Sequence, residues 1–214
     1  MTSNKHIPLQ GLYLITPDQN DTILLQDHVH LALRGGAQLI QYRNKSADPT
    51  LKRQQAQMLR TVCNTHHALL IINDDPTLAA ECEADGVHLG QSDASVQAAR
   101  HLLGDTAIIG VTCHNRLDLA RIAASYGADY LSFGRFFPSD TKPLASPADL
   151  SILKLAKQTF TLPIAAIGGI TLENTPLLLA AGADLIAVCA GVFAQADITA
   201  QAQQISQLCN QNSR

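Results

Sequence analysis

The chain has 214 residues and a mass of 22.9 kDa, with 46% hydrophobic and 15% charged residues, which suits one domain with its own core and excludes a disordered chain. A formal net charge of −3 excludes a broadly basic nucleic-acid surface, so an anionic ligand must meet a local basic cluster or a bound cation. Cys63, Cys82, Cys113, Cys189 and Cys209 are scattered with no CxxC pair, no apolar run nears the roughly 20 residues that span a bilayer, and MTSNKHIPLQ lacks a signal-type apolar stretch. The expectation is a soluble, cytoplasmic protein with reduced cysteines and neither nucleic acid nor membrane as a partner.

In chain order, the apolar runs and the segments between them read as alternating strands and helices. GLYLIT (from Gly11) opens as a strand, followed by a helix from Thr22 to Leu33. That helix has Leu24, Leu25, Val29 and Leu33 on one face and a Gly35-Gly36 stop. AQLIQYR (from Ala37) is next, and Asp48-Pro49 begins a helix with an N-cap and a proline at the first helical position. ALLIIND (from Ala68), GVHLG (from Gly86), AIIGVTC (from Ala107) and DYLSFG (from Asp129) follow, with Asp75-Pro76 and Ser146-Pro147 repeating the same helix-opening device. PIAAIGGI (from Pro163) and LIAVCAGV (from Leu185) complete eight strands, and a Gln-rich helix beginning near Ile198 closes the chain.

The runs are rich in Ile, Leu and Val and mostly lack alternation, as strands buried on both faces do. GGAQLI, YGADYL and AGADLI echo one another at the junction from a helix to the next strand, which marks an architectural repeat. Eight strands alternating with helices predict an α/β chain folded as a single (β/α)8 barrel over residues 1–214. An open doubly wound sheet is the competing architecture, but no GxGxxG follows the first strand.

If these strands run parallel, the polar groups at their ends share one face. Gln41, Arg43 and Lys45 alternate at the end of the second strand, where a guanidinium fork and an ammonium suit phosphate oxygens. Asn73-Asp74-Asp75-Pro76 ends the third, with Asp75 explained as a helix cap and Asp74 not. Asp74 with Asp93 would give Mg²⁺ two hard oxygen ligands, although helix capping competes as an explanation of Asp93. Thr112, Cys113 and His114 end the fifth strand, with Cys113 facing the packing side, while mid-strand His88 reads as a satisfied core histidine.

The segment Phe136 to Pro143 holds Ser139, Asp140, Thr141 and Lys142 and can wrap a phosphate or act as a lid. Gly168-Gly169 and Cys189-Ala190-Gly191 stand where barrels of this type bind phosphate through backbone amides. Two anion sites in one mouth imply two phosphorylated substrates or one doubly phosphorylated one.

QYRNK, INDDP, DGVHLGQSD, FPSDTKP and AIGGI, in this order and at this spacing from Tyr13 to Phe193, resemble the thiamine phosphate synthase family. The resemblance implies coupling of a hydroxymethylpyrimidine pyrophosphate to a thiazole phosphate, with pyrophosphate released. It implies that Gln41, Tyr42, Arg43, Asn44, Lys45 and Asn73 bind the pyrimidine pyrophosphate and that Asp74 and Asp93 hold Mg²⁺. Thr112 would contact the pyrimidine side. Ser139, Asp140, Thr141, Gly169, Cys189 and Ala190 would hold the thiazole phosphate, and Lys142 the leaving pyrophosphate. Arg43, Lys142 and Thr112 would carry the catalysis. The implied mechanism is dissociative, through a pyrimidinylmethyl cation, and needs no side-chain nucleophile.

The chain departs from the family pattern at two positions. Gly134-Arg135 stands where the family has Gly-Pro, and Ala190 where it commonly has Ser. Two rival readings are a thiazole tautomerase of similar sequence, which would not need the full pyrophosphate set, and a silent barrel that only binds a phosphorylated ligand. The sequence leaves room for a homo-oligomer.

Overall fold

The computed structural model describes residues 8–138 and 147–212. Its strands are β1 (Gly11–Ile15), β2 (Leu39–Tyr42), β3 (Leu69–Asn73), β4 (Gly86–Leu89), β5 (Ile108–His114), β6 (Tyr130–Gly134), β7 (Ile164–Ile167) and β8 (Leu185–Val188). They are joined by α1 (Thr22–Arg34), α2 (Pro49–Thr65), α3 (Pro76–Glu81), α4 (Val96–Leu103), α5 (Leu117–Ser125), α6 (Ser151–Thr159) and α7 (Thr175–Ala180). After β8 come the four-residue α8 (Ala190–Phe193) and then α9 (Ile198–Asn212). Each strand pairs in parallel with the next, and β8 returns to β1 with Gly11 opposite Leu185 and Leu14 opposite Val188. This is the (β/α)8 barrel read from the sequence, and the closure excludes the open sheet.

Strand alternation splits the core into two layers. Leu12, Leu14, Ile40, Tyr42, Leu70, Ile72, Val87, Ile109, Val111, Cys113, Leu131 and Phe133 face outward and pack beneath the helices. Tyr13, Ile15, Leu39, Leu69, Ile71, Tyr130, Ala165, Leu185 and Ala187 fill the barrel interior. The interior is not filled by bulk on every strand. A Cβ added to Gly110 would lie 1.9 Å from Cζ of Tyr130, so the glycine on β5 makes room for the phenol ring of β6. Gly110→Ala is therefore expected to lower stability by about 1–3 kcal/mol, the range for overpacking, as read from a shifted urea midpoint.

Local caps set the helix starts. Asp48 accepts the N–H groups of Thr50 and Leu51, and Asp75 accepts that of Leu78, each ahead of a proline at the first turn. A cap of this kind contributes about 1 kcal/mol. The expected Ser146-Pro147 device is corrected. Ser146 lies outside the described residues, and α6 begins only at Ser151, whose N–H is accepted by Asp149 at 2.8 Å. Pro147 thus sits in the loop ahead of the helix rather than at its first position.

The repeated Gly-Ala-Asp junction has a structural function at the end of the barrel opposite the mouth. Asp129 and Asp184 accept the N–H of Ile109 and Ile164 on the preceding strand, and pair with Arg100 of α4 and Lys157 of α6, the helices that lead into those strands. Asp85 does the same for Leu70 with Arg60. GGAQLI has Gln38 at the equivalent position and lacks the carboxylate. Helix α9 packs against α1, α7 and β1, so closely that a Cβ on Gly35 would lie 2.6 Å from Ala202 Cβ.

Candidate active site

All eight strands end at one mouth, where a cavity of about 470 Å³ is lined by residues from β1 to β8 and the loops that follow them. Its cationic wall is built by β2. Gln41, Arg43 and Lys45 all line the cavity, as strand alternation requires. Arg43 is held on two sides. Buried Thr16 donates its hydroxyl to the Arg43 carbonyl and accepts the Arg43 N–H, both at 2.9 Å. The Asp18 carboxylate accepts from Arg43 Nη1 at 2.9 Å and from the Lys45 N–H at 3.1 Å. Thr16 and Asp18 were missed in the sequence reading, although Thr16-Pro17-Asp18 follows β1 with the same polar stop seen on the other strands.

Tyr42 and Asn44 require correction as substrate-contacting residues. Tyr42 alternates away from Gln41 and Arg43, is buried under the helices, and donates its hydroxyl to Gln55 Oε1 at 2.8 Å. Asn44 is also buried, with its amide donated to the Gln19 carbonyl and to Gln55. Both shape the strand end from behind, and neither lines the cavity.

The acidic wall lies beside the cationic one. Asp74 lines the cavity with φ of 64°, a left-handed conformation that costs on the order of 1–3 kcal/mol and is typical of functional sites. Its N–H bonds to the His88 carbonyl, and its carboxylate lies 3.3 Å from Lys45 Nζ. Asp93 does not cap α4, whose cap is Ser95; it turns back to accept the Gly90 N–H at 2.8 Å. Burial pushes the Asp93 carboxyl above the usual carboxylate range. The Gly90 N–H opposes that shift, the adjoining Asp74 carboxylate adds to it, and Lys45 again opposes it. Among the described residues no group of three or more His, Cys, Asp or Glu is placed to hold a metal.

Thr112 lines the cavity from β5, with its hydroxyl 2.8 Å from His88 Nε2 and its carbonyl accepting from Gln91 Nε2 at 2.6 Å. His88 is buried and hydrogen-bonded, as expected of a core histidine, yet it also reaches the cavity. Asn73 and His114 complete this side.

On the opposite side the loop after β7 approaches the chain too closely for side chains. Gly169 has φ of 63°, and a Cβ there would lie 2.2 Å from the Pro138 carbonyl oxygen. Asn174 braces this loop by donating to the Gly169 carbonyl at 3.0 Å and accepting the Thr171 N–H at 2.9 Å. Cys189, Ala190 and Gly191 line the adjoining wall, and Arg135 projects into the cavity from the end of β6. Burial pushes the Cys189 thiol up to about 11, with Arg43 acting in the other direction. The group is then a thiol at neutral pH rather than a nucleophile. Ser139, Asp140, Thr141 and Lys142 lie outside the described residues.

Comparison with known proteins assigns the chain to a family. The family model for thiamine monophosphate synthase matches residues 12–192. The chain belongs to the thiamine monophosphate synthase family. It is 51% identical to a thiamine-phosphate synthase of Alcanivorax borkumensis, over 96% of each chain. It is 50% identical to that of Methylobacillus flagellatus, over 98% of this chain and 100% of the other. Among solved structures, the thiamine phosphate pyrophosphorylase from Pyrococcus furiosus superposes with a TM-score of 0.86 at 31% identity, covering 99% of both chains. Arg135 and Ala190 both line the cavity.

Proposed function

We propose that this mouth carries out the thiamine-phosphate synthase reaction. An aminopyrimidine bearing a diphosphooxymethyl group condenses with a thiazole phosphate, giving thiamine phosphate and pyrophosphate. The carrying observation is that one cavity holds both the Arg43, Lys45, Asp74 and Asp93 wall and the glycine-bearing backbone at Gly168-Gly169 and at Cys189-Ala190-Gly191. The enzyme is a transferase with a charged leaving group, so its catalytic need is to position two substrates and stabilise growing negative charge.

Arg43, fixed by Asp18, offers its fork to the diphosphate, and Lys45 adds a point charge beside it. Thr112 and Gln41 face the pyrimidine ring, while the backbone of Gly169, Cys189 and Ala190 approaches the thiazole phosphate. Ser139, Asp140, Thr141 and Lys142 are assigned, on family resemblance, to the thiazole phosphate and the leaving pyrophosphate. Excluding water from the mouth protects a pyrimidinylmethyl cation until the thiazole nitrogen captures it.

The donor set fits Mg²⁺, which takes few carboxylates and keeps waters and phosphate oxygens as its other ligands. Two adjoining hard carboxylates, Asp74 and Asp93, would hold it. When bound, the ion would neutralise charge on the departing pyrophosphate. The thiazole tautomerase reading is not favoured, because relatives near 50% identity over nearly the whole chain are named thiamine-phosphate synthases.

We place the reaction in the cytoplasm. Among the described residues no helix is long and apolar enough to cross a membrane, and none of the five cysteines is joined in a disulfide. The test of the function is incubation of the protein with both substrates and Mg²⁺, with and without chelator. Chelator-sensitive thiamine phosphate is the expected result, and folded protein that yields no product overturns the reading.

A further inference from the structure

A chain of hydrogen bonds crosses the barrel beneath the cavity and connects two of its walls. Gln41 Nε2 donates to the Tyr13 hydroxyl at 2.5 Å, and the Tyr13 and Tyr130 hydroxyls are 2.7 Å apart. Tyr130 is 2.8 Å from His88 Nδ1, and His88 Nε2 is 2.8 Å from Thr112 Oγ1. Tyr13 and Tyr130 are almost fully buried, and burial pushes both phenols well up, so each retains its proton.

The proton count gives this chain one direction. Tyr13 accepts from Gln41, so its own proton must go to Tyr130, its other partner. Tyr130 then donates to His88 Nδ1, which must be unprotonated, leaving the imidazole hydrogen on Nε2 to bond Thr112. The Thr112 hydroxyl, having accepted, is left with its proton for the cavity. At the other end the Gln41 amide gives one of its two N–H groups to Tyr13, and its carbonyl oxygen, which takes no part in the chain, is the acceptor offered at the cavity wall. With the Gln41 nitrogen on Tyr13, protonating His88 at both nitrogens would leave the Tyr13 proton buried without an acceptor, and the reverse direction would need the Gln41 amide turned over so that its oxygen accepts that proton.

We infer that this relay fixes an acceptor at Gln41 and a donor at Thr112 in the cavity wall, making Tyr13, Tyr130 and His88 positioning residues that select an amino- over an oxo-pyrimidine. The inference rests on the synthase reading of the same site. An aminopyrimidine offers an exocyclic N–H to the Gln41 oxygen and a ring nitrogen to the Thr112 proton. An oxo analogue places an oxygen and a ring N–H there instead, opposing acceptor to acceptor and donor to donor.

Nitrogen-15 NMR of the histidine-labelled, unliganded protein reads the direction without any activity. His88, assigned by loss of its signals in His88→Asn, is expected to carry hydrogen on Nε2 alone. Hydrogen on Nδ1, or on both nitrogens, overturns the relay. Tyr130→Phe keeps the ring that fills the space at Gly110 and cuts the chain in the middle. It is expected to raise KM for the aminopyrimidine pyrophosphate about tenfold, the scale of one neutral hydrogen bond, with less than a twofold change for the thiazole phosphate. The preference for the amino over the oxo substrate should fall by about the same factor. Equal changes in both KM values, or an unchanged preference, would show that the hydroxyl only supports the fold. Failure of the native protein to form thiamine phosphate would count against the synthase reading, while the tautomer result would still decide the direction of the relay.

Discussion

Asp93→Ala is expected to reduce turnover by about 10²–10³, the scale of losing one stabiliser of transition-state charge, and to raise the Mg²⁺ concentration needed for half-maximal rate at least tenfold. The substitution leaves Asp74 as the remaining carboxylate of the pair, already 3.3 Å from Lys45 Nζ and so partly neutralised by it. The Gly90 N–H loses its partner, but Gly90 lies in a loop where water can replace it, so stability should fall by no more than about 1 kcal/mol. Steady-state rates across a Mg²⁺ titration, with a urea melt as control, read both effects. A variant with native turnover and native Mg²⁺ dependence would remove Asp93 from the site.

Arg43→Ala is expected to cost about 10²–10³ in kcat/KM for the pyrimidine pyrophosphate, because Lys45, the cation beside it, lacks the planar fork that grips two phosphate oxygens. Arg43→Lys should recover only part of that loss, since a lysine restores charge but not bidentate geometry. The structure adds a second arm to this test. Asp18 holds the guanidinium at 2.9 Å, and Arg43 is only 13% exposed, so Asp18→Asn should loosen the fork without removing it. A loss of about tenfold, falling on kcat more than on KM, is the expected mark of a misplaced transition-state contact. Equal losses for Arg43→Ala and Arg43→Lys would identify the fork as the feature that matters, whereas full activity in Arg43→Lys would leave charge alone.

Much of this site could be read along the chain. The buried-strand pattern of LLIIN and the polar stop at Asn73-Asp74 are adjacent in sequence, so the strand and its chemistry are visible together. The same holds for Arg43 and Lys45 beyond β2 and for Gly168-Gly169 beyond β7. Asp48-Pro49 and Asp75-Pro76 are equally local, because a cap acts within three residues of itself. The Ser146-Pro147 signal failed because a proline after serine also suits an extended loop, and Asp149 supplied the N-terminal acceptor instead.

By itself the sequence determined the strand order, the parallel arrangement and the face on which the charged groups collect. These follow from local periodicity and from the right-handed crossover of each β-helix-β unit. Tertiary structure alone decided which polar groups meet. Tyr13 and Tyr130 are 117 residues apart, yet they share one hydrogen bond inside the barrel. Tyr42 and Asn44 sit among binding residues in the chain, but the barrel wall turns them toward Gln55. The reason is closure. Joining β8 to β1 brings distant strands across a narrow interior, where buried hydroxyls and amides must find one another or remain unsatisfied.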